Sequence, residues 1–303
     1  MAAGVNMADG RPDLIFIAGP TASGKSALAL SLAEKLGGTV VNADSMQVYR
    51  DLHILSSRPS AEDEARAPHL LYGHVDAAEP YSAARYRADV ETLLREPSGR
   101  PLIFAGGTGL YFEALIQGLS TTPEIEPEVR EFWRAQARDA PALHAELARR
   151  DPDMAARLRP SDTQRIVRAL EVIDSTGISL ARWQEQAGTP LIDPAAAAKF
   201  VLTVDRTALR ERIAGRFAGM VENGALEEIR ALGERNLAPS LPAMKAIGVV
   251  PLLAHLRGGL GRDEAIAHSI TQTRQYAKRQ ETWFRNRLGD WAHLPSEAIL
   301  AKF

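Results

Sequence analysis

The chain contains no cysteine. Disulfides, thiolate metal sites and a cysteine nucleophile are therefore excluded. No apolar run approaches the length of a membrane span, so no membrane association is expected. The opening segment, MAAGVNMADGRPD, lacks a hydrophobic signal core, and nothing in it points to export. These readings fit a cytoplasmic protein, with residues 1–12 expected as a loose tail and Met7 as an alternative start. Net charge of either sign is also missing. A formal charge of −2 argues against a general nucleic-acid binder, but it averages over the chain. The segment 268–288, HSITQTRQYAKRQETWFRNRL, carries five Lys/Arg against one Glu, and local basic density is what matters to a protein reading one folded RNA.

What is present begins with GPTASGKS, Gly19, Pro20, Thr21, Ala22, Ser23, Gly24, Lys25 and Ser26. It fits G-x-x-x-x-G-K-[ST], a phosphate loop. DLIFIAG (13–19), before it, is an apolar run suited to a buried parallel strand, and KSALALSLAEKLGG (25–38), after it, has helical spacing. The N–H groups of residues 21–26 should point at phosphate oxygens, at the positive end of the following helix. Gly24 permits close backbone approach, Lys25 supplies charge, and Ser26 offers a hydroxyl to Mg²⁺. The motif implies a diphosphate or triphosphate. It does not say which chemistry follows.

The chain has 303 residues, enough for two domains or one with a large insertion. Further strands are expected at GTVVNAD (38–44), PLIFAGGTG (101–109) and KFVLTVD (199–205), with a helix near 83–95. Strands alternating with helices imply a parallel sheet covered on both faces, an α/β fold like that of P-loop NTPases. Residues 119–198 carry helical patterns and no strand, so they read as an all-helical insertion between a first core segment, 1–118, and a core completion with basic C-terminal helices, 199–303.

A phosphoryl-transfer enzyme also needs a strand-end acid for its metal. PLIFAGG ends in glycines, but VVNAD ends in Asp44 and VLTVD in Asp205. Asp205 reads as a cap for the helix beginning near Thr207. Asp44 sits at the carboxyl edge where α/β folds bind ligands. From the residues alone, Mg²⁺ ligation through water and general-base chemistry suit it equally. Thr108 is either a site hydroxyl or a helix cap.

Taken in order, GPTASGKS, NADSMQVYR, PHLLYGH with YSAARY, GGTGLYFEAL, PEVR, DTQRIVRALEV, RFAGMVENGALEEIRAL, AMKAIGVVPL and TRQYAKRQETWFR resemble the tRNA dimethylallyltransferases along nearly the whole chain. The resemblance implies a P-loop kinase-like fold that does not consume ATP. It implies transfer of a dimethylallyl group from dimethylallyl diphosphate, with Mg²⁺, to N6 of the adenosine immediately 3′ of a tRNA anticodon. The loop Gly19–Ser26 would cradle the diphosphate leaving group, and Asp44 and Thr108 would be catalytic. It further implies tRNA contacts from Asp44, Ser45, Met46, Gln47, Thr108 and Arg130, and from the run Gln164, Arg165, Ile166, Val167 and Arg168.

Within that run Ile166, Leu170 and Ile173 share a helix face expected to meet the core, while Gln164 and Arg168 share another. Ser161-x-x-Gln164 is also a capping box, so Gln164 has a structural reading. Arg274, Lys278 and Arg285 recur along one side of the last helix, either as phosphate contacts or as a solvated face, with Tyr276, Trp283 and Phe284 offering apolar area. DLHILSSRP (51–59) departs from the family run GLDIGTAKP; Arg58 stands where lysine is common and Leu70 where a second histidine is frequent. Arg58 is a further source of positive charge for the leaving group. The competing readings are a P-loop small-molecule or nucleotide kinase and a non-catalytic tRNA-binding protein. Nothing in the chain demands a partner subunit, so a monomer is expected.

Overall fold

The computed structural model describes residues 13–95, 99–120, 125–137, 139–186 and 188–303. The expected tail at 1–12 lies outside them. Two compact units are present. One runs up to Ile116 and resumes at Pro190; the other is Gln117–Thr189.

The first unit is built on six strands: β1 (Leu14–Ala18), β2 (Thr39–Asn42), β3 (His69–Leu70), β4 (Leu102–Gly106), β5 (Ala197–Leu202) and β6 (Ala292–Leu294). They pair in the order β3-β2-β4-β1-β5-β6, and every pairing is parallel. β1 is therefore central, flanked by β4 and β5. Its LIFIA sequence is buried on both faces, as an interior parallel strand must be. Alternate residues divide between two cores. Phe16 and Phe104 meet edge-on at 5.1 Å in one, beside Phe112 of the helix Gly109–Ile116. Ile15, Ile17 and Ile103 join Leu28 and Leu32 of the helix Lys25–Leu36 in the other.

The four strands expected from the sequence form with shifts of a few residues. β3 and β6, with two and three residues, carry too little pattern to be foreseen. The helical insertion is shorter than its expected span. It ends at Thr189, because Leu191 and Ile192 both donate to the Leu115 carbonyl and so return the chain to the sheet unit.

Among its described residues the second unit packs five helices, Pro127–Ala135, Ala140–Arg150, Pro152–Arg157, Thr163–Thr176 and Leu180–Glu185, around its own core. Trp133, Leu147, Ile166, Leu170 and Val172 are buried there. Ile173 is only half-buried and Val172 takes the core position expected of it. The buried Glu171 is held by Arg134 at 3.1 Å and Arg168 at 3.4 Å, which supplies the pairing a buried charge requires. Among the described residues no helix is long and apolar enough to cross a membrane.

Candidate active site

Three loops at the carboxyl ends of neighbouring strands meet here. β1 delivers the phosphate loop, β2 delivers Asp44, and β4 delivers Thr108. Each is locally determined. Gly24 adopts φ 93°, the left-handed region that glycine enters without strain, and turns the chain into the helix Lys25–Leu36. The first N–H groups of that helix have no partner within it and face a prospective anion. Thr21 differs from its expected role: its N–H donates to Gln280 Oε1 at 2.8 Å. That of Ser23 donates to the Pro20 carbonyl at 3.2 Å. The cradle therefore narrows to the N–H groups nearer the helix start.

Lys25 is buried, with Nζ donating to the Pro20 carbonyl at 3.3 Å. Burial pushes its pKa down to about 8, Asp44 opposes the fall, and Arg216 adds to it. Arg216 donates to the Thr21 hydroxyl and Arg212 to the Ser23 carbonyl at 3.5 Å. Both arginines come from the helix Arg206–Glu222. Burial lowers the Arg216 pKa and Asp44 again opposes it. The three cations outnumber the one carboxylate, so the loop is biased toward anions. Asp205 does cap that helix, accepting from Thr207 and Ala208 at 2.9 Å each, as the sequence suggests.

At the end of β2 the fully buried Asn42 organises the turn. Its side chain accepts from Asp44 N at 2.8 Å and donates to the Asp44 and Leu71 carbonyls at 3.0 Å each. Asp44 Oδ1 accepts from Met46 N at 3.0 Å. β4 ends in glycines because the two loops cross in backbone contact. A Cβ on Gly106 would lie 2.0 Å from the Ala43 carbonyl oxygen. Thr108 N donates to that same oxygen at 3.2 Å, and Thr108 Oγ1 accepts from Ser45 N at 2.9 Å. The hydroxyl thus faces the Asp44 loop.

Two residues of the helix Arg262–Arg287 complete the arrangement. Gln280 is buried and donates to the Gly107 carbonyl at 2.8 Å. Tyr276, one turn before it, is half-buried. Burial, reinforced by Asp44, pushes the phenols of Tyr72, Tyr111 and Tyr276 up, so all three are neutral at physiological pH. Among these groups Asp44 is the one carboxylate.

Other expected positions fall elsewhere. Gln47 is buried and its amide donates to the Ser56 and Ser57 carbonyls at 2.9 Å each. It braces the 51–59 loop. That loop is further held by Glu228, which accepts from the N–H groups of His53, Ile54 and Leu55 at 2.7, 2.7 and 2.9 Å. Arg58 lies against Gly73, donates to the Arg50 carbonyl at 3.2 Å, and borders a cavity of about 200 Å³ shared with Ser26, Ser57, His69 and Tyr72.

In the helical unit the N-cap is Asp162, not Ser161, accepting from Arg165 N at 3.4 Å. Gln164 and Arg165 are exposed and Arg168 is half-buried. Ile166 and Val167 are buried in the core of that unit; they share the matching motif with Gln164 but lie on its other face. Arg130 donates to the Ile125 carbonyl at 3.4 Å. Arg274, Lys278 and Arg285 are exposed, whereas Phe284 is buried and Trp283 half-buried.

Residues 47–287 match the family model described as IPP transferase. A tRNA dimethylallyltransferase of Chelativorans sp. (strain BNC1) is 53% identical, aligned over 92% of this chain and 98% of its own. One from Nitrobacter hamburgensis is 55% identical over 93% and 90%. Among solved structures, the tRNA isopentenylpyrophosphate transferase of Bacillus halodurans superposes with a TM-score of 0.68 at 33% identity, covering 94% of this chain and 90% of that one. A eukaryotic dimethylallyltransferase acting on tRNA gives 0.79 at 29% identity, covering 93% and 73%.

Proposed function

The chain belongs to the IPP transferase family, and from that premise we propose its reaction: transfer of a dimethylallyl group from dimethylallyl diphosphate to N6 of the adenosine 3′ of a tRNA anticodon. The observation that carries the reading is the joining of a cation-rich phosphate loop to a strand-end carboxylate through one hydrogen-bond network. A nucleotide kinase would share the loop, but the relatives along the whole chain are named for prenyl transfer to tRNA.

The chemistry follows from charge. As the allylic carbon–oxygen bond breaks, the carbon becomes positive and the diphosphate gains negative charge. Lys25, Arg216 and the N–H groups at the helix start stabilise that leaving group, the task fixed dipoles and cations perform best. Arg58 adds to the positive field from the neighbouring cavity. The exocyclic amine is a poor nucleophile because its lone pair is delocalised into the ring. We assign Asp44 to hold it and accept its proton as the nitrogen–carbon bond forms, and Thr108 to orient it. Water must be kept from the cationic carbon, and the neutral ring of Tyr276 and the half-buried Trp283 flank the site with apolar surface.

The donor set also fits Mg²⁺ of the kind carried mainly by substrate phosphates. Ser26 offers a hard hydroxyl oxygen, and no cluster of three acidic or histidine side chains is present among the described residues. Bound there, the ion would neutralise the departing diphosphate.

On the helical unit we assign the exposed Gln164 and Arg165, with Arg168, to the anticodon loop, where unstacked bases are read by edge hydrogen bonds and stacking. Arg130 is a further contact. The Arg274, Lys278 and Arg285 stripe would meet backbone phosphates. We place the reaction in the cytoplasm.

The experiment is diphosphate release from dimethylallyl diphosphate with Mg²⁺, with and without unmodified tRNA. Release that needs tRNA and falls about a hundredfold or more in Asp44→Ala supports the assignment. Phosphate released from ATP, with no prenyl transfer, would put a kinase in its place.

A further inference from the structure

Gln280 stands apart from the other buried polar residues of its helix. Ser269 and Thr273 turn their hydroxyls back on their own helix, to the Ala265 and Ser269 carbonyls at 2.7 Å each. Gln280 uses both ends of its amide elsewhere. Its oxygen accepts from Thr21 N of the phosphate loop, and its nitrogen donates to the Gly107 carbonyl, each at 2.8 Å. The two partners fix the amide's orientation, since one can only donate and the other only accept. A Cβ on Gly107 would lie 2.2 Å from Gln280 Nε2 and 3.2 Å from Asp44 Oδ2, so amide and carboxylate crowd the same glycine. Gly107 is followed directly by Thr108, which is tied to Ser45.

We propose that Gln280 is a positioning residue for prenyl transfer: a clasp that sets the separation between the loop holding the diphosphate and the loops holding the acceptor amine. The proposal rests on the roles given above to the phosphate loop, Asp44 and Thr108. It explains why the helix buries an amide at this position. One side chain must accept from one loop and donate to the other, and neither an apolar residue nor an ionised acid does both.

The chemistry makes that separation critical. The carbon transferred must lie between the leaving oxygen and the attacking nitrogen, both held by different loops. A misplacement on the order of 1 Å in such a geometry costs about a hundredfold in rate. Loss of the clasp therefore acts on the chemical step, while each substrate still binds its own loop.

The test is a double-mutant cycle in the transfer assay, with Gln280→Met and Thr108→Val made singly and together. Melting curves confirm that each variant is folded at the assay temperature. Gln280→Met should lower kcat about tenfold or more, with KM for donor and tRNA within about threefold of wild type. In the Thr108→Val background the same substitution should cost less than about threefold, because the group it positions is gone. Gln280→Asn, whose amide sits on a stem too short to span the loops, should show the same split and serves if the Met variant does not fold. Equal losses in both backgrounds would mean a role in the fold alone and overturn the proposal. So would a raised KM with kcat retained, or an unimpaired Thr108→Val. Failure of the wild-type chain to transfer a prenyl group would instead defeat the reading of function.

Discussion

Lys25 provides a prediction that ties stability to function. In the unfolded chain its pKa is that of a free lysine, 10.5, and in the folded protein it is about 8, chiefly through burial. Below pH 8 both states hold the proton, and the folded state is penalised by the full difference, about 3 kcal/mol. Between about 8 and 10.5 the unfolded chain holds more protons, so stability rises with pH and the penalty fades. Lys25→Met removes the penalty at neutral pH. It also removes a hydrogen bond to the Pro20 carbonyl, worth about 1 kcal/mol. The variant should then be about 2 kcal/mol more stable than wild type at pH 7. Near pH 10 wild-type Lys25 is neutral, and the advantage should disappear or reverse. Urea unfolding at the two pH values measures this directly. Inorganic diphosphate should stabilise the wild type more than the variant, which keeps Arg216 and the helix-start N–H groups, since an anion at the loop restores the lysine's preference for its proton. In wild type, donor KM should climb above pH 8 for the same reason. A variant less stable than wild type at pH 7, or a difference independent of pH, would refute the account of Lys25 as a strained cation awaiting an anion.

Other outcomes are expected. Asp44→Asn keeps the turn's shape but cannot take a proton, and kcat should fall about 10²–10⁴-fold with tRNA KM little changed, read in steady-state kinetics. Gly106→Ala would place a methyl 2.0 Å from the Ala43 carbonyl oxygen; the β2 and β4 loops must separate, so both Tm and activity should drop, whereas Gly215→Ala, which meets nothing within 4 Å, should leave both unchanged. Glu228→Ala deprives three consecutive N–H groups of their acceptor; hydrogen exchange at residues 53–55 should accelerate, with a weaker donor affinity as Arg58 loses its seat.

The sequence carried the site's contiguous parts and missed its distant ones. The phosphate loop, Asp44 and Thr108 each lie at a strand end within a short motif, where local residue types dictate local geometry. Gln280 reaches Thr21 across 259 residues, and Arg216 reaches it across 195. No local pattern announces such a pairing. One signal was available for Gln280. Ala265, Ser269, Thr273, Ala277, Gln280 and Phe284 repeat every three or four residues and are buried together, while Arg274, Lys278 and Arg285 occupy exposed positions of the same helix. The same helical geometry buries Ile166, as its spacing with Leu170 suggests, and Val167 beside it. A motif that matches residue by residue includes both faces of a helix, and Gln164 and Arg165 lie on the exposed one. β3 and β6 escaped notice because two or three residues cannot display a period of two.

The central claim is that the phosphate loop holds a leaving group and that the bond broken is carbon–oxygen. Dimethylallyl diphosphate carrying heavy oxygen at the bridging position tests it most directly. After reaction with unmodified tRNA, mass spectrometry of both products locates the label. All of the label should leave with the diphosphate, and the tRNA should gain one prenyl group on an adenosine N6. Label retained on the prenyl carbon, or a phosphoryl group appearing on the RNA, would contradict it.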